Sequence, residues 1–168
     1  MPTANFKKYA IIGAIVILLF MSTTSKAASL IAIFEGKKLK AYRDQAGIWT
    51  IGFGSTYNID EKRPVKEGDT IDDATAIRWL KTITVDLQDK IKKIVTVPVN
   101  QNQLDSLTSL AYNIGFTAFS ESTLLKYLNA GRPKIQVADQ FLRWVNVKKV
   151  VNQGLINRRS KERELFLK

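Results

Sequence analysis

The sequence has no cysteine and no histidine. Without cysteine there is no disulfide framework, no thiolate zinc site, no cysteine nucleophile and no thiol-based activation switch. Without histidine the Ser-His-Asp and Cys-His arrangements are excluded, and the commonest transition-metal ligand is gone. No metal or organic cofactor is therefore expected. Acid–base chemistry in such a chain falls to carboxylates, lysine or tyrosine. Cytosolic and exported proteins both can lack cysteine, so the compartment stays open on this ground.

Acidic residues are also scarce. The 168 residues carry 26 Lys and Arg against 15 Asp and Glu, a net charge of +11. Residues 132–168 alone hold ten basic and three acidic residues. A surface of this sign favours anionic polymers and headgroups. Bacterial walls and lipids fit it. No nucleic acid partner is expected, and the plain alternative is a solvated helix face. The apolar content of 45% and charged content of 24% suit one folded domain with a real core.

Residues 1–28 read as an address. They hold Lys7, Lys8 and Lys26 and no acid, and the strongly apolar stretch Tyr9 to Met21 is 13 residues long. Basic residues before an apolar block of that length are the n- and h-regions of a secretory signal, with Ser25-Lys26-Ala27 as a cleavage site after Ala27. The rival is an uncleaved signal-anchor. The 17 uncharged residues 9–25 lie at the short limit of a membrane-spanning helix, about 17–25 residues. Their outer end is only weakly apolar, because Ser22, Thr23, Thr24 and Ser25 occupy it. The signal-anchor is the favoured of the two, with the inner membrane as its partner and the Sec machinery as its route. Both place residues 29–168 outside the cytoplasm.

Residues 29–168 read as one α+β domain. Ser29 to Glu35 predicts a short helix capped by Ser29 and ended by Gly36. Leu39 to Arg43, Ile48 to Phe53 and Ser55 to Ile59 predict three short antiparallel strands. A polar loop over 60–69 leads to Thr70-Ile71-Asp72-Asp73, which has the form of a capping box. The helix behind it turns Ile71, Ala74, Ile77 and Leu80 inward and stops before Pro98. Leu104, Leu107, Leu110 and Ala111 make an apolar stripe on the next helix, which Gly115 ends. Three more helices are predicted: one capped by Ser120, one begun by Pro133, and a last from about Gln153 to Phe166.

Glu35, Asp44 and Thr50 stand out chemically. Eight residues separate the first two, and five the second two. Glu35 follows Ile33 and Phe34 at a helix end. A carboxyl against apolar neighbours loses hydration and tends to hold its proton, as a general acid must. Asp44 lies in a polar turn and should stay ionised, with the Thr50 hydroxyl on the following strand. Such a set can hold a water for attack on an acetal carbon. Taken alone these are ordinary placements, although a glutamate at a helix C-terminus opposes the helix dipole.

The words around these residues carry more. Phe34-Glu35-Gly36, Leu39-Lys40-Ala41-Tyr42-Arg43-Asp44 and Gly47-Ile48-Trp49-Thr50-Ile51-Gly52-Phe53-Gly54 together resemble the phage-type lysozymes, glycoside hydrolase family 24. Ala111-Tyr112-Asn113-Ile114-Gly115 is similar to the family's central helix, and Ser122-Thr123-Leu124-Leu125 to its next one. Arg143-Trp144, Gly154-Leu155-Ile156-Asn157-Arg158-Arg159 and Glu162-Arg163-Glu164 are similar to its C-terminal signature. The resemblance spans nearly all of residues 29–168 and rests on several ordered motifs. It departs in one place: Ser55-Thr56 stands where many members have His. That puts local stability in question more than catalysis.

The resemblance implies a lysozyme-like fold, a small three-stranded sheet beside a mainly helical lobe. It implies a muramidase that cleaves the β-1,4 bond between N-acetylmuramic acid and N-acetylglucosamine with inversion, acting as a monomer on peptidoglycan glycan strands. Glu35 would be the proton donor, with Asp44 and Thr50 managing the water. Arg158 would pair with Glu35. Gly52, Phe53 and Gly54 would form one wall of the cleft, with Tyr112 and Asn113 opposite and Tyr42 beside Asp44. On the residues alone, Arg158 reads as a surface charge next to Arg159 and Arg163, and Trp49, Trp79 and Trp144 as packing. The leader is similar to signal-anchor-release segments of some phage endolysins. Two other readings remain: a non-catalytic wall- or membrane-binding protein on the same scaffold, and a basic membrane disruptor acting through residues 132–168.

Overall fold

The computed structural model describes residues 25–44 and 46–168. The signal-anchor assigned to residues 9–25 lies, but for Ser25, outside the described residues. Among the described residues no helix is long and apolar enough to cross a membrane.

Helix α1 runs Lys26–Glu35, three residues earlier than its expected start. Ser25, not Ser29, is its cap, accepting the Ala28 N–H through its hydroxyl at 3.2 Å. Ala27, Ala28 and Ile31 are fully buried. Hiding Ile31 alone stabilises the fold by about 1.5–3 kcal/mol relative to leaving it exposed. Lys26 reaches Asn102 at 2.7 Å and fixes the helix start to a neighbouring helix. The last residues of the apparent leader thus belong to the core. Gly36, with φ +68°, ends α1 directly after Glu35.

The sheet region is two hairpins instead of one three-stranded sheet. Strands β1 (Lys38–Arg43) and β2 (Trp49–Gly52) pair antiparallel, with Tyr42 opposite Thr50. Strands β3 (Tyr57–Asn58) and β4 (Arg63–Pro64) form a second pair. The strand expected over Ser55–Ile59 fails to continue the first sheet because Gly52 and Gly54 both take positive φ and turn the chain away. A single bridge, Ile51 to Ser55, links the halves. Ser55 also closes the next turn: its hydroxyl donates to the Tyr57 carbonyl at 2.7 Å and accepts the Tyr57 N–H at 3.3 Å. A serine therefore completes this corner.

Helix α2 (Asp73–Ile94) is capped by Asp72, which accepts from Thr75 N–H at 2.8 Å; Thr70 instead bridges to Lys40. Its inward face is Ala76, Trp79, Leu80, Thr84, Leu87 and Ile91. Ala74 is exposed, because the bulk of Trp79, not the expected stripe, sets which side faces the core. Helix α3 (Gln101–Ile114) has a full capping box between Asn100 and Gln103 and ends at Gly115. Every residue from Leu104 to Ala111 is buried, as befits a helix packed on by α1, α2 and those that follow.

Short helices α4 (Phe116–Ser120), α5 (Thr123–Asn129) and α6 (Lys134–Asp139) wrap around it. Ser122, rather than Ser120, caps α5 by accepting Leu125 N–H at 3.1 Å. The helix begun at Pro133 gives way to a 3₁₀ turn, Gln140–Arg143. A hairpin absent from the sequence reading follows: β5 (Asn146–Val147) and β6 (Val150–Val151). Helix α7 (Gln153–Leu167), capped by Asn152, closes the domain against α3. Phe119, Phe141 and Phe166 fill the helical core with Leu107 and Leu110.

Candidate active site

The site forms where α1 ends, β2 turns, and α3 and α7 pass behind. Glu35 closes α1 with its side chain one-quarter exposed. Ile33, expected to press on it, is 68% exposed and contributes nothing to its burial. The partner that defines Glu35 is Arg158 of α7, only 3% exposed. Arg158 Nη1 donates to Glu35 Oε1 at 2.6 Å. The same guanidinium is held at two further points. Its Nη2 donates to the Ser109 carbonyl of α3 at 3.2 Å, and its Nε to Glu162 Oε1 at 3.1 Å. Its Cζ lies over the Phe34 ring, 5.6 Å from the ring centroid. Arg158 is therefore no surface charge: two further acceptors aim it at the acid.

Gly54 explains why a glycine follows Phe53. Its φ is +97°, and a Cβ there would stand 3.6 Å from Glu35 Oε2 and 3.8 Å from the Tyr112 hydroxyl. A side chain would enter the space in front of the carboxyl. The open side of Gly52 faces Ile71 and Ala76 instead, so that glycine serves the packing of α2 on the sheet. Tyr112 donates to the Phe53 carbonyl at 2.8 Å and ties α3 to the β2 turn. Burial pushes the Tyr112 hydroxyl well up, with Glu35 adding to the shift. Tyr42 is raised in the same way, by burial first and then by Glu35 and Asp44. Both tyrosines stay protonated and can donate.

Asp44 and Thr50 are brought together through one residue. Asp44 Oδ1 accepts the N–H groups of Ala46 and Ile48, each at 2.8 Å, in a tight turn after β1. Thr50 donates its hydroxyl to the Ile48 carbonyl at 3.1 Å and is buried. Tyr42, opposite Thr50 in the hairpin, is the side chain that senses both Asp44 and Glu35. Asn113 is exposed, and its Oδ1 accepts from Arg159 Nη2 at 3.0 Å. Among the described residues no group of Asp and Glu is gathered as a metal site.

Three residues behind the site went unassigned by the sequence reading: Ser109, Arg159 and Glu162. Glu162 is fully buried, and its Oε1 accepts from Ser109 Oγ at 2.7 Å. Arg159 is fully buried beside it, with Nη2 3.3 Å from the same oxygen. The signal was present as polar residues inside a core helix: Asp105, Ser106, Thr108 and Ser109 interrupt the leucine stripe of α3. Two adjacent arginines with a glutamate three and four residues on complete it.

Comparison with known proteins agrees with this architecture. A family model described as Phage lysozyme matches residues 32–162. The chain is 41% identical over 147 residues to the endolysin of Salmonella phage P22, spanning 88% of this chain and 99% of that one. It is 36% identical over 143 residues to the SAR-endolysin of Pseudomonas phage phiKMV, covering 80% and 81% of the two. Among solved structures, the endolysin from Escherichia coli O157:H7 phage FAHEc1 matches with a TM-score of 0.75 at 38% identity, over 84% of this chain and 90% of that one. With the fold, the ordered motifs and these relatives in agreement, the chain belongs to the phage lysozyme family and is a glycoside hydrolase.

Proposed function

We propose that the protein is an exported endolysin that hydrolyses the β-1,4 bond between N-acetylmuramic acid and N-acetylglucosamine, for lysis of the host cell. The observation that carries this reading is the geometry at Glu35. A partly solvated carboxyl faces a space kept open by Gly54, and a buried guanidinium holds it from behind. Protonated Glu35 donates to the glycosidic oxygen as the C–O bond breaks. Asp44, its carboxylate oriented by the two turn N–H groups, takes a proton from a water. Thr50 helps to seat that water, which attacks the anomeric carbon of the muramic acid with inversion. When Glu35 becomes a carboxylate, Arg158 is already in place to stabilise it. Tyr42, Gly54, Tyr112 and the exposed Asn113 line the cleft for the glycan, with the buried Gly52 and Phe53 as its backing.

The route is export with the leader retained as a signal-anchor in the inner membrane, followed by release to the periplasm. Relatives that are SAR-endolysins support it. So does the core position of Ala27 and Ala28: cleavage after Ala27 would remove the Ser25 cap and a fully buried residue from the helix that carries the acid. The same helix explains restraint, because a displaced α1 displaces Glu35 from Arg158. Membrane-held protein is expected to be inactive, and equal hydrolysis by embedded and released protein would exclude this.

The test uses the full chain on purified peptidoglycan, with new reducing ends counted and the terminal sugar identified. New ends on N-acetylmuramic acid, reduced at least about 100-fold in Glu35→Gln, are the expected result. Ends on N-acetylglucosamine would change the bond assignment. No release by the folded protein would leave a wall-binding scaffold.

A further inference from the structure

Glu162 is a wholly buried carboxyl that no step above uses. It sits on α7 one turn beyond the arginine that grips Glu35. Its Oε1 takes Arg158 Nε at 3.1 Å, Ser109 Oγ at 2.7 Å and Arg159 Nη2 at 3.3 Å. Its Oε2 lies 3.1 Å from Arg159 Nε, off the line of that N–H bond. Arg159 Nη1 has no acceptor among the described residues. Among the described residues Arg159 is thus a buried cation with one carboxylate partner, Glu162, and one neutral acceptor, Asn113.

Counting charge makes the arrangement informative. Around the acid stand Arg158 and Arg159 from α7, Glu162 behind them, Tyr112 from α3 and Tyr42 from β1, the tyrosines neutral. With Glu35 ionised, two carboxylates balance two guanidiniums. With Glu35 protonated, one positive charge is left over. Remove the charge of Glu162 and two are left over. That second cation is itself buried and weakly screened, and it and Glu35 feel one another's charge, although the Glu35 side chain is one-quarter exposed. Burial raises the Glu162 carboxyl on balance, against the pull of Arg159 and Arg158; its carboxylate form rests on the contacts with these two guanidiniums, each at 3.1 Å. Burial also draws Arg159 down, to about 10, which leaves it charged at neutral pH.

We propose that Glu162 is a positioning residue for the general acid: it holds Arg158 by Nε so that Nη1 meets Glu35, and it cancels Arg159 so that Glu35 faces one uncompensated cation rather than two. Shape and charge are separable here. Gln at 162 keeps an oxygen for Arg158, Ser109 and Arg159 but removes the countercharge. Met at 159 removes the second cation and keeps the carboxylate. The two changes act on Glu35 in opposite directions.

This rests on Glu35 being the acid, and the experiment separates the two claims. Full-length wild type, Glu162→Gln, Arg159→Met, the double variant and a Glu35→Gln control are assayed on purified peptidoglycan across pH. The Glu35 carboxyl is titrated in parallel by carbon-13 NMR. Glu162→Gln should move the alkaline limb of activity and the Glu35 titration to lower pH by about one unit, a tenfold loss on that limb. Arg159→Met should move both to higher pH, and the double variant should return them close to wild type. A Glu162→Gln protein that is folded yet titrates like wild type overturns the proposal. So does a double variant displaced as far as the single one. If Glu162→Gln does not fold, the sign of the shift in Arg159→Met decides: no upward movement overturns the proposal. Wild-type activity in Glu35→Gln would instead remove the acid assignment itself. An inactive Glu35→Gln with unmoved limbs elsewhere removes only the role of Glu162.

Discussion

Arg63 and Arg159 both sit among carboxylates, one at the surface of the hairpins and the other inside the helical lobe. Arg63 is fully served. Its Nη1 and Nη2 donate to the two oxygens of Asp69 at 2.7 and 2.8 Å, and its Nε to Glu61 Oε2 at 2.7 Å. Asp69 also accepts Lys66 N–H at 3.0 Å, and these bonds hold its carboxyl down at about 2. Arg159 is less fully served: Nη2 donates to Asn113 and Glu162, but the Nε contact is off line and Nη1 has no acceptor among the described residues. Bond quality alone would rank the surface cluster above the buried one. The energetic order is the reverse. Water still reaches Arg63, one-quarter exposed, and Glu61, more than half exposed, so pairing there adds less than it does between fully buried ions. Inside the lobe, each charge depends on its partner because nothing else replaces lost hydration.

The sharpest way to break this contrast is Glu162→Ala. It leaves two buried guanidiniums with one carboxylate fewer and should cost about 3–5 kcal/mol in urea unfolding. A loss under about 1 kcal/mol would show that the cluster behaves like a surface one. Replacing Arg159 and Glu162 together by methionine should recover most of that loss, since apolar groups of similar volume need no countercharge. If the double change is as damaging as the sum of the singles, shape and not charge governs the lobe.

On the surface side, Asp69→Asn should lower the melting temperature by far less than Glu162→Ala. The difference from wild type should fade in about 1 M salt, where screening extends only about 3 Å. The Glu162→Ala loss should survive the same salt, and calorimetry at both ionic strengths checks the pair. The smallest effect is in acid. Asp69 is held at about 2, below its ordinary 3.8, so its contribution is complete above 3.8 and is lost as pH falls toward 2. Wild type should therefore lose its advantage over Asp69→Asn across that window, as followed by thermal unfolding at a series of pH values.

Much of the scaffold was legible because local rules and tertiary needs agreed. The leucine stripe of α3 and the glycines after Glu35 and Ile114 all act as their types dictate. Reading failed where context overrode type. Lys26-Ala27-Ala28 looked like the end of a leader, yet small apolar residues fit equally well under a helix packed on α3. The β5–β6 hairpin gave no turn signal, because Lys148 and Lys149 take positive φ at +48° and +68° where Asn or Gly is usual. The sheet divided because two glycines that served as a motif also served as a corner.

The sequence by itself determined the family, the α+β class, the residues Glu35, Asp44 and Thr50 as candidates, and the exclusion of cysteine and histidine chemistry. These follow from composition and from the order of words along the chain, which need no third dimension. Only the tertiary structure decided how Arg158 is held against Glu35, that Arg159 and Glu162 lie buried behind it, and that α1 begins inside the apparent leader. The reason is physical. A charge is ordinary or costly according to the water around it, and hydration is fixed by contacts between residues as far apart as 35 and 158.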